Sequence, residues 1–286
     1  MENKKQRAAI VCCSNGQSKQ QKEKLRNLQQ IMMELGIECV WSDYIYEDKQ
    51  GESATAKQRA ESLMNFYRDD EIRYIFDISG GDLANEILPF LDYDVIAKSE
   101  KQFWGYSDLT CVINAIYTKC QKASVLYQIR NLLYRDSEMQ KQRFENTVLQ
   151  NEEELFDISY EFLQGNEMTG VLVGGNIRCL LKLAGTPYWP DMTGKVLLLE
   201  AYSGNASRMT AYLSQLEQMN VFEQVNGVLL GTFTELEKTA GMCSINELIL
   251  AHVPKRLAVA FTKEIGHGTD SKALCIGKPA TFCRNP

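Results

Sequence analysis

The chain has 286 residues, of which 44% are apolar, 24% charged and 9% aromatic, proportions that exclude disorder, collagen and a coiled coil as whole-chain descriptions. That length accommodates one large domain or two. With 31 Lys and Arg against 37 Asp and Glu the net charge is −6, so no general basic field exists for nucleic acid or an anionic membrane, and neither is expected as a partner.

Ala8–Cys13 is a short apolar run ending at Ser14-Asn15-Gly16, followed by Leu25, Leu28, Ile31, Met32 and Leu35 at helical spacing, with Gly36 closing the helix. Cys39-Val40-Trp41 reads as a second strand, Asp43–Ala54 as a polar loop, and Ala56–Arg68 as a helix with Ala60, Leu63, Met64 and Tyr67 on one face. Tyr74–Ile78 is a third strand, after which Ser79-Gly80-Gly81 precedes Leu83–Leu91. Phe103-Trp104-Gly105-Tyr106 forms the next strand and leads through Ser107 into a helix over Leu109–Cys120. From Tyr134 to Asn166 the chain turns polar and acidic, and the domain junction is placed there. The second half alternates again: strands at Val171–Val173, Val196–Leu199, Val225–Leu230 and Leu257–Phe261, helices at Cys179–Leu183, Ala206–Met219 and Ile245–His252. Two short apolar runs, Ala273–Ile276 and Ala280–Phe282, close the chain. Such alternation predicts right-handed crossovers and a mostly parallel sheet.

No apolar stretch approaches the ~20 residues of a membrane helix. After the basic start only about six apolar residues precede a turn, too few for a secretory leader, so a cytoplasmic location is expected. The nine cysteines (Cys12, Cys13, Cys39, Cys111, Cys120, Cys179, Cys243, Cys275 and Cys283) lack the paired spacing of a disulfide scaffold and read as reduced, mostly buried thiols.

Three loops place reactive or donor-rich groups just past strands, where open α/β sheets hold their ligands. In Gly105-Tyr106-Ser107-Asp108 a serine at a tight strand-to-helix turn projects its hydroxyl, and the next amide can face an oxyanion; such a serine can equally be a helix cap. Ser79-Gly80-Gly81-Asp82 permits close backbone approach or is simply a turn. It has neither the length and lysine of a Walker loop nor a three-glycine dinucleotide fingerprint, which argues against nucleotide binding. The third site combines Glu200, ending an apolar strand, with His267 between Gly266 and Gly268. Of the two histidines, His252 ends a predicted helix, which leaves His267 as the better general base. No cluster has metal-ligand spacing, and no metal or cofactor is expected.

These pieces, taken in order, resemble the serine-type LD-carboxypeptidases together with the microcin C self-immunity proteins. The resemblance rests on Gln58-Arg59-Ala60, Ser79-Gly80-Gly81, Ile87-Leu88-Pro89, the segment Phe103 to Thr110, Gly174-Gly175-Asn176, Gly185-Thr186-Pro187-Tyr188, Leu197–Glu200, Gly227–Gly231, Gly266-His267 and Ile276-Gly277. It implies an α/β fold. An N-terminal domain over 1–135 would have a mostly parallel, Rossmann-like or flavodoxin-like sheet with flanking helices. A polar linker over 136–168 would lead to a smaller C-terminal α/β domain over 169–286 with a barrel-like sheet. It also implies a triad divided between the domains: Ser107 as nucleophile, His267 as base and Glu200 as its orienter. The oxyanion hole falls on the backbone amides of Asp108 and Gly81, whose side chains need not matter, with Gly80 and Asn176 near the substrate. The implied substrate is a small peptide or peptidyl adduct with a free carboxylate, and the implied assembly a homodimer.

Some positions depart from the family pattern. Ala201-Tyr202-Ser203-Gly204 follows Glu200 where acidic residues are common, Ser79 replaces an Arg found before the double glycine in many LD-carboxypeptidases, and Tyr127-Gln128-Ile129-Arg130 stands where a His-Gly-Pro or Tyr-Gly-Pro turn is frequent. These changes leave the triad intact and bear on the substrate; Ser79 and Leu91-Asp92-Tyr93-Asp94 are closer to the microcin-immunity branch. Two other readings are a general amide hydrolase on the same triad and a non-catalytic binding protein in which Ser107 only caps a helix.

Overall fold

Apolar alternation near the N-terminus produces β1 (Gln6–Val11), in which Ala8, Ala9 and Ile10 are fully buried. It is followed by α1 (Lys22–Glu34), which inserts Leu25, Leu28 and Met32 beneath it. Gly36 ends that helix at φ +78°, a left-handed position that suits glycine. Then come β2 (Ile37–Trp41), α2 (Ala56–Arg68), β3 (Ile72–Asp77), α3 (Tyr93–Lys98), β4 (Gln102–Gly105), α4 (Thr110–Cys120) and β5 (Ser124–Leu126), with a 3-10 helix over Ala84–Phe90. Thr55 and Gln58 form a capping box that starts α2. The computed structural model describes residues 6–240 and 242–284; the side chains of residues 239–244, Cys243 among them, lie outside the described residues.

The first sheet runs in the order β5-β4-β3-β1-β2, all parallel. This is the doubly wound order whose ligand crevice opens where the strand sequence reverses, beyond the C-terminal ends of β1 and β3. The loops Cys13-Ser14-Asn15 and Ser79-Gly80 meet there through the Asn15 amide and the Gly80 carbonyl, 3.2 Å apart.

The later elements are α5 (Ser137–Val148), β6 (Glu161–Gln164), β7 (Glu167–Asn176), α6 (Ile177–Leu181), β8 (Val196–Ala201), α7 (Ala206–Gln218), α8 (Val221–Gln224), β9 (Gly227–Phe233), α9 (Thr234–Ala240), α10 (Met242–His252), β10 (Ala258–Phe261), β11 (Leu274–Ile276) and β12 (Pro279–Cys283). Strands β7, β8, β9 and β10 are parallel, and β12 and β6 flank them antiparallel. This second sheet is curled as a half-barrel. Among the described residues no helix is long and apolar enough to cross a membrane, and the eight described cysteines are free thiols, with Cys283 exposed.

Two segments do more than their composition suggested. The polar stretch 136–168 contains α5, whose Phe144 packs at 5.8 Å from Phe76 and 6.1 Å from Trp104 in the first sheet, and β6, which pairs with β10 in the second. Strand β11 crosses back and pairs antiparallel with β5, so a short segment between β10 and β12 joins the first sheet.

The two sheets meet along a seam between α4 and the end of β7. The Asn114 side chain accepts from the Gly174 N–H at 2.8 Å and donates to the Gly174 carbonyl at 2.9 Å. Thr110 Oγ1 accepts from the Asn176 N–H at 3.0 Å. Gly174 and Gly175 sit at φ +102° and +133°, and a Cβ on Gly175 would come within 2.7 Å of the Thr110 hydroxyl. Only glycine allows so close an approach at that backbone angle.

Replacing Asn114 with alanine leaves the Gly174 N–H and C=O buried without partners, each costing about 1–3 kcal/mol. The Asn114→Ala variant is therefore expected to unfold several degrees below the wild type by circular dichroism, about 2–4 °C for each kcal/mol in a chain of this size. An unchanged midpoint would show that the seam does not depend on this side chain.

Candidate active site

Beyond β4 the chain turns sharply. Tyr106 remains extended at φ −144°, and Ser107 adopts φ +57° before a 3-10 turn over Ser107–Leu109 leads into α4. A left-handed conformation at a non-glycine residue costs about 1–3 kcal/mol and persists where its surroundings are fixed. Here the flanks are fixed by burial, since Asp108 and Leu109 are fully buried and Tyr106 nearly so. The turn places Ser107 at the crevice end of the sheet in a cavity of about 310 Å³ that also includes Ser79, Gly80 and His267.

His267 comes from the opposite side, on the loop after β10. Its Nδ1 lies 2.8 Å from Glu200 Oε2, and Glu200, in β8, is fully buried. An ionised carboxylate only accepts, so Nδ1 carries the proton and Nε2 is left free. The other Glu200 oxygen accepts from the Asn176 amide at 3.1 Å, while Asn176 also caps α6 through the Cys179 N–H. The imidazole is flanked by two rings, Tyr106 at 5.0 Å and Tyr202 at 4.9 Å between centroids. The Tyr106 hydroxyl is buried beside Glu200 and Ser271 without meeting a partner at hydrogen-bonding geometry. Burial, and after it the Glu200 charge, raise the Tyr106 pKa, so the phenol stays neutral.

The histidine loop is held from several directions. Ser271 accepts from the Gly266 N–H at 3.1 Å, and Thr232 N–H donates to the Ile265 carbonyl at 2.8 Å. A Cβ on Gly231 would fall 2.5 Å from that same carbonyl, which explains a glycine at the end of the Gly227–Gly231 run. Helix α5 completes the brace: the buried Gln140 side chain donates to the carbonyls of Thr269 and Ser271 at 2.9 and 2.8 Å and accepts from Tyr127 Oη at 3.0 Å. Arg143 also donates to the Asp270 carbonyl.

The structure thus brings Ser107 and His267 into one cavity with Glu200 directly behind the imidazole. Among the described residues no hydrogen bond joins Ser107 to His267; such bonds often tighten only when substrate is bound. Gly80 lines the cavity, Gly81 lies beside it at φ +113°, and Asn176 is turned towards Glu200 rather than into the cavity. His252 lies elsewhere, pairing with Glu217 at 2.8 Å between α10 and α7.

The Asp108 side chain matters more than the sequence reading allowed. Its carboxylate, fully buried, accepts from Ser14 Oγ at 2.7 Å and the Ala84 N–H at 2.8 Å, and pairs with Lys182 at 2.6 Å. Lys182 also donates to the Asp82 carbonyl, and Arg178 to the Gly81 carbonyl and the Asp82 carboxylate. The end of α6 therefore grips both loops of the nucleophile side. Sequence reasoning also missed Arg130 and Lys272, the two cations on the cavity wall, which no carboxylate side chain lines. Arg130 donates to Gln17 Oε1 at 2.9 Å and has no carboxylate partner among the described residues, whereas Lys272 pairs with Glu264. Only the placement of Arg130 after Tyr127-Gln128-Ile129, where the family pattern departs, could have drawn attention to it.

Comparison with known proteins adds independent information. The probable murein peptide carboxypeptidase of Bacillus subtilis is 28% identical over 240 residues, covering 79% of this chain and 73% of that protein. The microcin C7 self-immunity protein MccF of Escherichia coli is 26% identical over 213 residues, 63% of this chain and 61% of its own length. A putative carboxypeptidase of Treponema pallidum is 26% identical over 70% of this chain, a match spanning 66% of that protein, just under two thirds. Among solved structures, an MccF-like protein from Bacillus anthracis superimposes with a TM-score of 0.85 at 25% identity, over 99% of this chain and 94% of that one. The LD-carboxypeptidase N-terminal domain matches residues 8–127 and the LD-carboxypeptidase C-terminal domain residues 169–282, and with both halves accounted for in order, the chain belongs to the LD-carboxypeptidase family of serine peptidases.

Proposed function

We propose that this chain hydrolyses an amide bond near the C-terminal end of a small peptide through Ser107, His267 and Glu200. The observation that carries the reading is the His267–Glu200 pair facing the same cavity as a serine held at φ +57°. Nε2 of His267 takes the Ser107 proton as Oγ attacks the scissile carbonyl. The negative charge that develops on the carbonyl oxygen faces the backbone N–H of Asp108 and an amide of the Gly80-Gly81 turn. Collapse expels the amine, protonated by His267, and leaves an acyl-Ser107 ester that water then cleaves with His267 again as base. Glu200 fixes the imidazole tautomer and stabilises the imidazolium, and Asn176 orients Glu200 from behind.

The cavity also supports a substrate class. Arg130, without a carboxylate partner among the described residues, suits the free carboxylate of a peptide, which a guanidinium binds in bidentate fashion. A murein-derived peptide fits this description and the chemistry named for the Bacillus subtilis relative. A second reading rests on Tyr202, whose ring is 57% exposed beside His267 and offers a stacking face to a planar group. That favours a peptidyl or aminoacyl adduct of the microcin kind.

Mass-spectrometric screening of muropeptides against peptidyl-adenylate analogues separates the two substrates. Release of one C-terminal residue from a muropeptide supports the first, and turnover of the adenylate analogues alone replaces it with the second. If neither is cleaved and Ser107 also resists a fluorophosphonate that labels other serine hydrolases, the binding-only reading takes over.

Ser107→Ala is expected to fold normally and lose on the order of 10⁶ in kcat, as in triads acting as a unit. His267→Ala should be comparably impaired, Glu200→Gln less so, and the Ser107→Ala/His267→Ala double variant hardly worse than Ser107→Ala alone. His252→Ala should leave kcat unchanged. Additive losses in the double variant would show that the two residues do not act as one unit.

Arg130→Gln should raise KM for a peptide ending in a free carboxylate and leave KM for its C-terminal amide unchanged. A loss of about 1.5–3 kcal/mol, the range for hydrogen bonds to charged groups, corresponds to roughly 10- to 100-fold in kcat/KM. Equal effects on acid and amide would remove Arg130 from carboxylate recognition.

A further inference from the structure

A cavity of about 1000 Å³ opens at the other edge of the N-terminal sheet, beside Ile72 and Gln102 at the starts of β3 and β4, away from Ser107. Its charge is opposite to that of the whole chain. Five cations, Arg68, Arg73, Lys98, Lys101 and Lys278, line it against two carboxylates, Asp70 and Glu100, although the chain carries −6 overall. Arg68 is already engaged with Asp92 at 3.4 Å, and Arg73 lies over the Tyr74 ring.

Lys101 is the residue that calls for explanation. It is 9% exposed and forms no ion pair among the described residues, whereas lysines so deeply placed are almost always paired. The nearby Lys122 has its pKa lowered, mainly by its own burial, and the Lys101 charge adds to the effect against the pull of Cys120 and Glu100. The same cavity carries apolar surface beside the cations, from Val95, Val148 and the half-buried Phe156.

We infer that this cavity is a binding site for a small organic anion, its charged group held by Lys101 and its planar apolar body lying against Phe156 and Val148. The volume suits a ligand of that kind, since such pockets run to about 300–1,000 Å³. The rim cations Arg73, Lys98 and Lys278 are exposed and supply local attraction, while the apolar wall supplies contact area. The site is separate from Ser107 and His267, so it stands whether or not the proposed hydrolysis is correct.

The test uses 8-anilinonaphthalene-1-sulfonate, followed by fluorescence and calorimetry, with the uncharged N-phenyl-1-naphthylamine as its control. Saturable binding of one sulfonate per chain is expected, displaced by pyrophosphate and reduced about tenfold or more in Lys101→Met, with the uncharged probe bound at least tenfold more weakly. Lys278→Glu, a change at the exposed rim, should weaken the sulfonate severalfold and keeps the test available if Lys101→Met fails to fold. Ser107→Ala should bind it like the wild type. Wild-type affinity in folded Lys101→Met and in Lys278→Glu, or equal binding of the charged and uncharged probes, overturns the inference. So does an affinity that falls with protein concentration as dimers form, because the groove would then be covered by a second copy.

Discussion

The contact on which the site depends is the buried carboxylate of Asp108, joined to Lys182 at the C-terminal end of α6 across the seam between the two sheets. Ser107 and His267 belong to different halves of the chain, so their separation is set by how α4 meets the end of β7. Taking a carboxylate and an ammonium out of water costs several kcal/mol each, recovered only where the remaining lone pairs and protons are satisfied. Asp108 meets that condition with Ser14, Ala84 and Lys182, and Lys182 adds the Asp82 carbonyl. Removing either partner strands a charge, which is typically worth 3–5 kcal/mol. The pair therefore contributes less to net stability than to holding one arrangement of the two halves.

One residue consequently serves two ends. The Asp108 backbone directly follows Ser107, while its side chain fastens the seam, so a shift in the seam is felt directly at the proposed oxyanion site. The strain at Ser107 belongs to the same construction. A serine at φ +57° would relax in a loose loop, but here Tyr106, Asp108 and Leu109 are packed into the core on both sides. On the other bank the His267 loop is fastened by Gln140 of α5, which bonds to Tyr127 of the first domain as well. Ser107 and His267 are thus referred to the same body of the protein even though the chain reaches them 160 residues apart, a separation at which fixed geometry rather than local sequence sets the distance.

Much of this was legible in the sequence because it is local. The 3.6-residue repeat from Leu25 to Leu35 gave α1, Gly36 marked its end, and the short apolar runs located most strands. The juxtaposition of a serine after β4 with a glycine-flanked histidine came from motif order and family resemblance. What could not be read was long-range pairing. Asp108 and Lys182 are 74 positions apart, Gln140 and Ser271 131, and a polar residue gives no periodic signal of the partner it will meet. The stretch 136–168 looked like a linker for the same reason: α5 is mostly polar, and its value lies in single contacts from Gln140, Arg143 and Phe144. Strand β11 was visible as an apolar run, but nothing local says that three residues will pair with β5 instead of the second sheet.

Charge distribution connects the two cavities. An acidic protein repels anions at long range, yet that field is screened beyond about 8 Å at physiological ionic strength. What an anionic ligand meets on arrival is local: among the described residues no carboxylate side chain lines the wall around Ser107, and none pairs with Arg130. Glu200 is withdrawn behind His267 and does not line the cavity, so under the proposed mechanism it supports the imidazolium without repelling a substrate carboxylate. Had Glu200 lain on the wall, its charge would oppose an anion arriving beside Arg130. Burial of Glu200 behind His267 thus serves the proposed substrate class electrostatically as well as fixing the imidazole tautomer.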